Sequence, residues 1–293
     1  MTFDCITEDK NLWAVRYDGE DDNVLFRLFD QWDDAEWLRS FFTCHFSDLV
    51  GYFKITNINQ AVLDTMDDRD ELECLLLDLD GDADLDALFK PLENYRTSEM
   101  LLGKEKARPH RRNRHSSWLR IYAIKLDKGM YLVTGGAIKL TFRMDEREHT
   151  RRELYNLEKV RNFLLEHQII DSDSFLEENI SLLFATAMKE KIVRKLEEFK
   201  SATPSRWREQ ALERREDEAW RQESRRIALL MLERLDALAM TQADLAERLG
   251  CTQQYVSRIL KGRENLSLKT ICKIDDVLGL GIWAPVSREV CMA

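Results

Sequence analysis

Hydrophobic and polar positions repeat with two different periods along the chain. Residues 11–17, Asn-Leu-Trp-Ala-Val-Arg-Tyr, alternate between apolar and polar side chains, which predicts a β-strand. Apolar residues then recur at helical spacing as far as about residue 92, and these segments are predicted to be short helices with acidic outer faces. The longest of them covers residues 59–79.

A small sheet is predicted in the middle of the chain. Residues 118–126 and 130–134 flank Asp127-Lys128-Gly129, a pattern that predicts a hairpin with glycine in its turn. A third strand is predicted over residues 137–142 and a closing helix over residues 149–167. The fold class expected here is α+β, a small antiparallel sheet with helices.

The last third of the chain has the pattern of a helix-turn-helix. Residues 171–174, Asp-Ser-Asp-Ser, are interpreted as a linker, followed by a predicted helix over 175–200 that Pro204 interrupts. Farther on, Thr241 and Thr252 stand at N-cap positions and Gly250 supplies a turn. The apolar residues with helical spacing around these signals are Leu245, Ala246, Leu249, Val256, Ile259 and Leu260.

These patterns divide the chain into four parts. Residues 1–172 form the α+β domain, with the acidic helices as an insertion, and residues 173–224 form a helical arm. Residues 225–282 form an all-α helix-turn-helix domain, and residues 283–293 form a tail. A length of 293 residues is sufficient for two such domains, and 44% hydrophobic residues is typical of a globular protein.

Charge is distributed unevenly. The net charge is −10, but residues 1–100 hold 25 acidic and 8 basic side chains, whereas residues 101–170 hold 8 acidic and 16 basic ones. The acidic residues of the helix predicted over 59–79 present either a solvated face or an electrostatic cover for a basic site.

Cysteine usage and hydropathy exclude several classes of protein. The six cysteines lie far apart without Cys-x-x-Cys spacing, and no paired histidines accompany them. We therefore expect reduced thiols, no metal site and no cofactor. No leader-like segment and no apolar run of 18 residues occurs, so we expect a cytoplasmic protein that neither is secreted nor enters a membrane.

A basic block precedes and enters the predicted hairpin. Between residues 104 and 125, eight side chains are basic and only Glu105 is acidic. Such a run binds phosphates by charge. A solvated loop, or a docking surface for the acidic first hundred residues, is the alternative. The eight are Lys104, Lys106, Arg108, Arg111, Arg112, Arg114, Arg120 and Lys125.

Residues 117–122, 135–143 and 146–154 resemble the strands and closing helix of the RelE/HigB toxin ribonucleases, over about residues 96–168 in all. The resemblance implies that family's fold and its cutting of mRNA in the ribosomal A site, with mRNA and the ribosome as partners. On that basis Arg120 matches the central-strand arginine, Lys139 the basic residue after the last strand, and Arg143 the late arginine. The candidate catalytic residues are Arg120, Lys139, Arg143, Arg112, Arg114 and His115, and the candidate RNA-binding residues are Lys104, Lys106, Arg108 and Arg111.

The residue types suit cleavage of RNA without a metal. The 2′-hydroxyl must lose a proton and attack the adjacent phosphate, whose added negative charge and departing 5′-oxygen need stabilisation. Arginine and lysine supply positive charge, while a lysine with lowered pKa, His115 or His149 could transfer protons. Tyr155 is the candidate for the family's late catalytic tyrosine.

The second helix of the helix-turn-helix offers polar side chains to DNA. Glutamine can form two hydrogen bonds with an adenine edge and arginine with a guanine edge. An amphipathic helix pair with polar outer faces is the alternative. The segment over about residues 225–282 resembles the Cro/repressor helix-turn-helix family, which implies a phosphate contact for Gln242 and base contacts for Gln253, Gln254 and Arg258. The candidate DNA-binding residues are Gln242, Thr252, Gln253, Gln254, Ser257 and Arg258.

The two halves together resemble a HigB toxin followed by its HigA-like antitoxin. This implies a single-chain toxin–antitoxin protein whose antitoxin part restrains the ribonuclease, binds operator DNA and forms a homodimer through the C-terminal half. The helix over residues 175–200 would pack on the first domain or form the dimer interface. One alternative is a transcriptional regulator whose first domain has lost catalysis and binds RNA or a partner protein. A readthrough or artificial fusion of two genes also stays open.

Overall fold

The computed structural model describes residues 1–78, 84–92, 101–109, 115–177 and 207–282. Contacts divide the chain into two compact units, and neither unit is a continuous stretch of sequence. The first contains Met1–Trp32 and Phe41–Glu216, and the second contains Asp33–Ser40 and Asp217–Ala293.

The first unit is built on a mixed sheet. Its strands are β1 (Thr2–Cys5), β2 (Leu12–Arg16), β3 (Lys90–Pro91), β4 (Gly103–Ala107), β5 (Leu119–Asp127) and β6 (Met130–Ile138). Their order in the sheet is β1-β2-β6-β5-β4-β3. β2 runs parallel to β6, and the other neighbouring pairs are antiparallel. The small antiparallel sheet expected from the sequence is therefore larger than predicted and mixed.

Helices α1 (Val24–Trp32), α4 (Ile58–Leu76) and α6 (Glu148–Glu166) pack on this sheet. The other helices of this part of the chain are α2 (Ala35–Cys44), whose residues 35–40 belong to the second unit, α3 (Phe46–Asp48) and α5 (Leu85–Leu88). A Cβ placed on Gly135 of β6 would meet Glu153 of α6, whereas one on Gly136 would meet Leu28 and Trp32 of α1. Because neighbouring residues of a strand point to opposite faces, α1 and α6 lie on opposite sides of the sheet.

The predicted hairpin is confirmed, but the third strand is not. β5 and β6 flank the turn at Gly129, whose φ of 75° is readily adopted by glycine. The strand predicted over residues 137–142 is wrong, since residues 137 and 138 end β6 and residues 139–142 belong to no strand. A glycine pair often marks the end of a strand, but Gly135 and Gly136 lie inside β6 and make room for Glu153 and α1. The other neighbour of β5 is β4, in which the basic block begins.

The first unit continues beyond residue 172. The segment 171–174, interpreted as a linker, leads into a helical stretch at residues 172–177. Phe175 is fully buried there, with its ring 5.2 Å from those of Phe3 and Trp13. The rest of the helix predicted over 175–200 lies outside the described residues, as does the tail at 283–293.

Helix α7 (Trp207–Glu216) also belongs to the first unit. Trp207 is 2% exposed, and its ring centroid lies 4.9 Å from that of Phe26 and 5.0 Å from that of Phe29. Its Nε1 donates to Oε1 of Glu73 at 2.8 Å, and Arg214 Nη2 donates to the same oxygen at 2.5 Å. The predicted helical arm thus contributes an aromatic anchor and an ion pair to this unit.

The second unit is helical in its described part. It contains α8 (Glu218–Leu238), α9 (Gln242–Leu249), α10 (Gln253–Leu260) and α11 (Leu268–Leu278). Residues 33–40 from the early part of the chain join these helices. The side chain of Asp33 is 9% exposed and accepts hydrogen bonds from Arg221 Nη2 at 2.8 Å and Arg225 Nη2 at 2.7 Å, which anchors the segment to α8.

Candidate nucleic-acid interface

Local signals fix the ends of α9 and α10. Thr241 Oγ1 accepts from the backbone nitrogen of Asp244 at 3.2 Å, and Asp244 Oδ2 accepts from the backbone nitrogen of Thr241 at 2.9 Å, which forms a capping box. Gly250 ends α9 with a φ of 65°. Thr252 then caps α10 by accepting from the backbone nitrogen of Tyr255 at 3.2 Å. Both predicted caps and the turn glycine are confirmed.

The two helices bury one face and expose the other. Gln253 and Gln254 are exposed in the first turn of α10, and Ser257 is half-buried one turn later. Side chains in this position can reach base edges when a helix enters the major groove. The buried side chains are those expected from the spacing, namely Leu245, Ala246, Leu249, Val256, Ile259 and Leu260.

Arg258 is exposed but already held within the domain. Its Nε lies 2.8 Å from Oε1 of Glu264, and its guanidinium lies 5.7 Å from the ring centroid of Tyr255. Because a guanidinium has five N–H donors, Arg258 can contact a guanine edge through its Nη groups while Glu264 holds Nε.

Gln242, the expected phosphate contact, has an acidic partner within the same unit. Its Nε2 donates to Oε1 of Glu36 at 2.7 Å. Burial, followed by the neighbouring Asp34 carboxylate, raises the pKa of Glu36 above its ordinary value. The amide that would contact a phosphate is thus bonded to a carboxylate, and the sequence pattern of α9 and α10 gave no sign of this.

This arrangement of two short capped helices joined by a glycine turn, with glutamines exposed on the second, is that of a helix-turn-helix DNA-binding domain. The helix-turn-helix family model matches residues 230–282. No curated protein and no solved structure matches the chain.

Basic side chains also gather in the first unit. In the antiparallel pairing of β4 with β5, Lys106 lies opposite Tyr122 and Ala107 opposite Ile121. Arg108 and Arg120 are the next positions along these two segments. Burial and, to a smaller extent, the nearby charge of Arg108 lower the pKa of Arg120 to about 10. Burial also lowers the pKa of Lys139 and of Lys106, and the charge of Arg120 adds to both effects. These four side chains, Lys106, Arg108, Arg120 and Lys139, are called the basic cluster below.

Backbone carbonyls hold three members of the basic cluster in place. Arg120 Nη1 donates to the carbonyl oxygens of residues 117 and 119, each at 2.6 Å. Lys139 Nζ donates to those of residues 141 and 142 at 2.7 and 2.6 Å. Lys106 Nζ donates to that of residue 92 at 3.0 Å. Arg108 is exposed. The cluster is thus positively charged and positioned by neutral acceptors.

Two other predicted site residues pair with acidic side chains and are not members of the basic cluster. Lys104 pairs with Glu158, and the exposed Arg143 pairs with Asp145, whose Oδ2 lies 2.7 Å from Arg143 Nη2. Arg111, Arg112 and Arg114 lie outside the described residues, so their predicted roles stay predictions.

The candidate histidines and Tyr155 are not members of the basic cluster. His115 stacks on Trp118 at 4.3 Å, and its Nε2 lies 3.0 Å from Oδ2 of Asp64. Nε2 of His149 lies 3.0 Å from the carbonyl oxygen of Ile138, and burial lowers the pKa of this histidine. Tyr155 is 68% exposed on α6.

The structure adds two titratable groups that the sequence pattern did not single out. Glu153 accepts from the backbone nitrogen of Gly136, and burial raises the pKa of this carboxyl to about 7. The hydroxyl of Tyr122 is buried without a hydrogen-bond partner in the described part of the chain, and burial raises its pKa. The Gly135-Gly136 pair was the available signal, because two adjacent glycines in a strand indicate close approach of another group.

Neither a membrane-crossing helix nor a metal-ligating group was found in the described ranges. No helix there is long and apolar enough to cross a membrane. No three or more histidine, cysteine, aspartate or glutamate side chains come together there in a way that could hold a metal ion.

Proposed function

We propose that this chain is a single-chain toxin–antitoxin protein, with an endoribonuclease site in the first unit and an autoregulating DNA-binding domain in the second. The observation that carries the proposal is the basic cluster. Lys106 and Arg120 lie on the paired strands β4 and β5, and Arg108 and Lys139 directly follow β4 and β6. Together they offer positive charge to an RNA phosphate, in a chain that also holds a helix-turn-helix.

The proposed chemistry uses charge stabilisation and proton transfer without a metal. Attack of a ribose 2′-hydroxyl on the neighbouring phosphorus breaks the bond to the 5′-oxygen and passes through a species with extra negative charge. Arg120 stabilises that charge. Lys106 and Lys139, whose pKa values are lowered, are the candidates for receiving the 2′-proton and for protonating the departing oxygen.

The packing of α7 supports an antitoxin role for the arm. Trp207 fills a pocket between aromatic rings of α1, and Arg214 pairs with the buried carboxylate of Glu73 on α4. An aromatic anchor beside a buried ion pair is typical of a specific protein interface. On this proposal, mRNA and the ribosome are partners of the first unit. Operator DNA and a second copy of the chain are partners of the C-terminal half, and the protein acts in the cytoplasm.

A transcriptional regulator that binds RNA without cutting it is the second candidate. It is favoured by the carbonyl contacts of Arg120 and Lys139, because cations held in place by carbonyl oxygens can attract a phosphate by charge without moving a proton. Both candidates require the basic cluster, so binding and cleavage must be measured separately.

Mapping mRNA ends distinguishes the two candidates. Residues 1–177, which retain Phe175, are induced in a bacterium and compared with the Arg120→Ala variant and with Arg151→Ala, which changes an exposed arginine of α6 that is not a candidate site residue. Growth arrest with new mRNA ends that Arg120→Ala abolishes and Arg151→Ala retains supports the ribonuclease. RNA binding that depends on Arg120 without new ends supports the regulator. Neither cleavage nor binding by a soluble 1–177 whose circular-dichroism spectrum shows that it folds without α7 overturns both.

A further inference from the structure

Three acidic residues that precede or begin α2 contact the helix-turn-helix within the second unit. Asp34 Oδ2 lies 3.2 Å from Nζ of Lys261, and Glu36 accepts from Gln242. Asp33 Oδ2 lies 3.5 Å from Nε of Arg263. The backbone joins these contacts, because the amide nitrogen of Ala35 donates to the carbonyl oxygen of Lys261 at 3.2 Å. Residues 33–36 are called the acidic segment.

The partners of the acidic segment flank the base-reading helix. Gln242 is the first residue of α9, and Lys261 and Arg263 follow directly after α10. In a helix-turn-helix, contacts to the DNA backbone from such flanking positions fix the register, while the exposed side chains of the second helix read the bases. The acidic segment therefore engages the groups suited to phosphates, and Gln253 and Gln254 stay exposed.

Carboxylates and phosphates compete for the same donors. Both are anionic oxygen acceptors, so Lys261, Arg263 and the Gln242 amide can bind either one. The acidic segment also places negative charge beside the surface that a DNA backbone would approach, which repels it. DNA binding with full backbone contact then requires displacement of these carboxylates.

We propose that the acidic segment is an autoinhibitory element that occupies the phosphate-contacting flank of the helix-turn-helix and lowers its affinity for all DNA sequences. The proposal goes beyond the proposed function and depends on DNA binding only, so it stands or falls independently of RNA cleavage.

The contacts divide into an anchor and a releasable part. Asp33 is held by Arg221 and Arg225, whose side chains are 11% and 2% exposed, so its removal would leave buried arginines uncompensated. Asp34 and Glu36 are less buried than Asp33. Asp34 also accepts from the backbone nitrogen of Trp37 as an N-cap, a role that asparagine can keep. Asp34→Asn with Glu36→Ala therefore removes the charges while preserving the helix start.

The test measures the affinity of the full chain for a 24-base-pair duplex of random sequence at about 0.1 M salt. The Asp34→Asn/Glu36→Ala variant is compared with Asp21→Ala/Asp22→Asn, which removes two exposed acids from the first unit and changes the net charge equally. We expect about tenfold tighter binding for the first variant and less than a twofold change for the control. Equal effects, or no change in the first variant, overturn the proposal.

Arg39→Gln provides a second test, in which a positive charge is removed instead of two negative ones. Arg39 pairs with Asp236 of α8, so the substitution loosens the segment from α8 while making the chain more acidic. General electrostatics predicts weaker DNA binding for this variant, whereas release of the acidic segment predicts tighter binding. Weaker binding by Arg39→Gln in a protein with an unchanged circular-dichroism spectrum overturns the proposal.

Discussion

The carboxylate of Glu153 on α6 accepts a hydrogen bond from the backbone nitrogen of Gly136 at 3.2 Å. A Cβ on the preceding Gly135 would lie 1.8 Å from the same carboxylate oxygen, so glycine at that position leaves the space that Glu153 occupies. Burial in this site raises the pKa of the carboxyl to about 7 from 4.5. Helix α6 is therefore tied to the sheet by a group that titrates near neutral pH.

Glu153→Gln is expected to change the pH dependence of stability. The folded-state pKa lies above the unfolded value, so unfolding releases a proton between about pH 4.5 and 7, and stability falls as the pH rises through that window. The glutamine variant lacks this loss and is expected to be up to about 3 kcal/mol more stable at pH 8, with little difference at pH 4.5. Urea unfolding at both pH values measures the effect. Glu166→Gln, an exposed substitution on the same helix, is the control, and a variant that follows the parent at both pH values contradicts the prediction.

Alanine at both Gln253 and Gln254 is expected to weaken binding to the DNA upstream of the protein's own gene by about 2–6 kcal/mol. Both side chains are exposed at the start of α10, whereas Gln242 lies in the flanking position. The pair substitution should leave binding to a random duplex nearly unchanged, and Gln242→Ala should affect both DNAs alike. Fluorescence anisotropy measures both affinities. An upstream footprint that survives the pair substitution shows that α10 does not read bases.

Gly262→Ala is expected to destabilise the second unit by about 3 kcal/mol. The residue has a φ of 80°, and an added Cβ would lie 3.1 Å from Cα and 3.2 Å from Cγ of Arg225. Gly250→Ala is the matched control, since its φ is 65° but nothing lies within 4 Å, and it should cost about 1 kcal/mol. Thermal unfolding followed by circular dichroism compares the two. Equal losses of stability in the two variants would mean that the close approach of the added Cβ to Arg225 of α8 does not destabilise the unit.

Trp207→Ala is expected to destabilise the first unit by about 3–5 kcal/mol. The substitution empties the space beside Phe26 and Phe29 and removes the hydrogen bond to Glu73. Trp207→Phe retains most of the packing and should cost less, while Leu212→Ala on the more exposed face of α7 should cost little. A denaturant midpoint for Trp207→Ala equal to that of Leu212→Ala would show that α7 does not stabilise the unit.

Local patterns predicted the helix-turn-helix well. The caps at Thr241 and Thr252 and the glycine at 250 act within a few residues of themselves, so sequence alone is sufficient to identify them. The hairpin around Gly129 is similarly local. The strand predicted over 137–142 failed because Gly135 and Gly136 resemble a strand end unless the helices packed on each face are known.

Long-range relationships were not predictable from the pattern. Nothing near Asp33 indicates that it pairs with Arg221 and Arg225, which lie far away in the sequence. The two interpretations of the acidic residues at 59–79, a solvated face or an electrostatic cover for a basic site, concern another segment, and nothing in the pattern around Glu36 indicates its contact with Gln242. Likewise, the charge run between residues 104 and 125 did not show that it contains β4.

The parallel pairing of β2 with β6 sets an order on the folding of the first unit. Leu12 pairs with Tyr131, so β2 finds its neighbour β6 only after the intervening helices and β5 have been made. Closing so long a loop is entropically costly, and folds with high contact order form slowly. During translation, β1 can pair with one edge of β2, but the other edge of β2 stays unpaired until β6 leaves the ribosome. We therefore expect the nascent chain to need protection from aggregation through that interval.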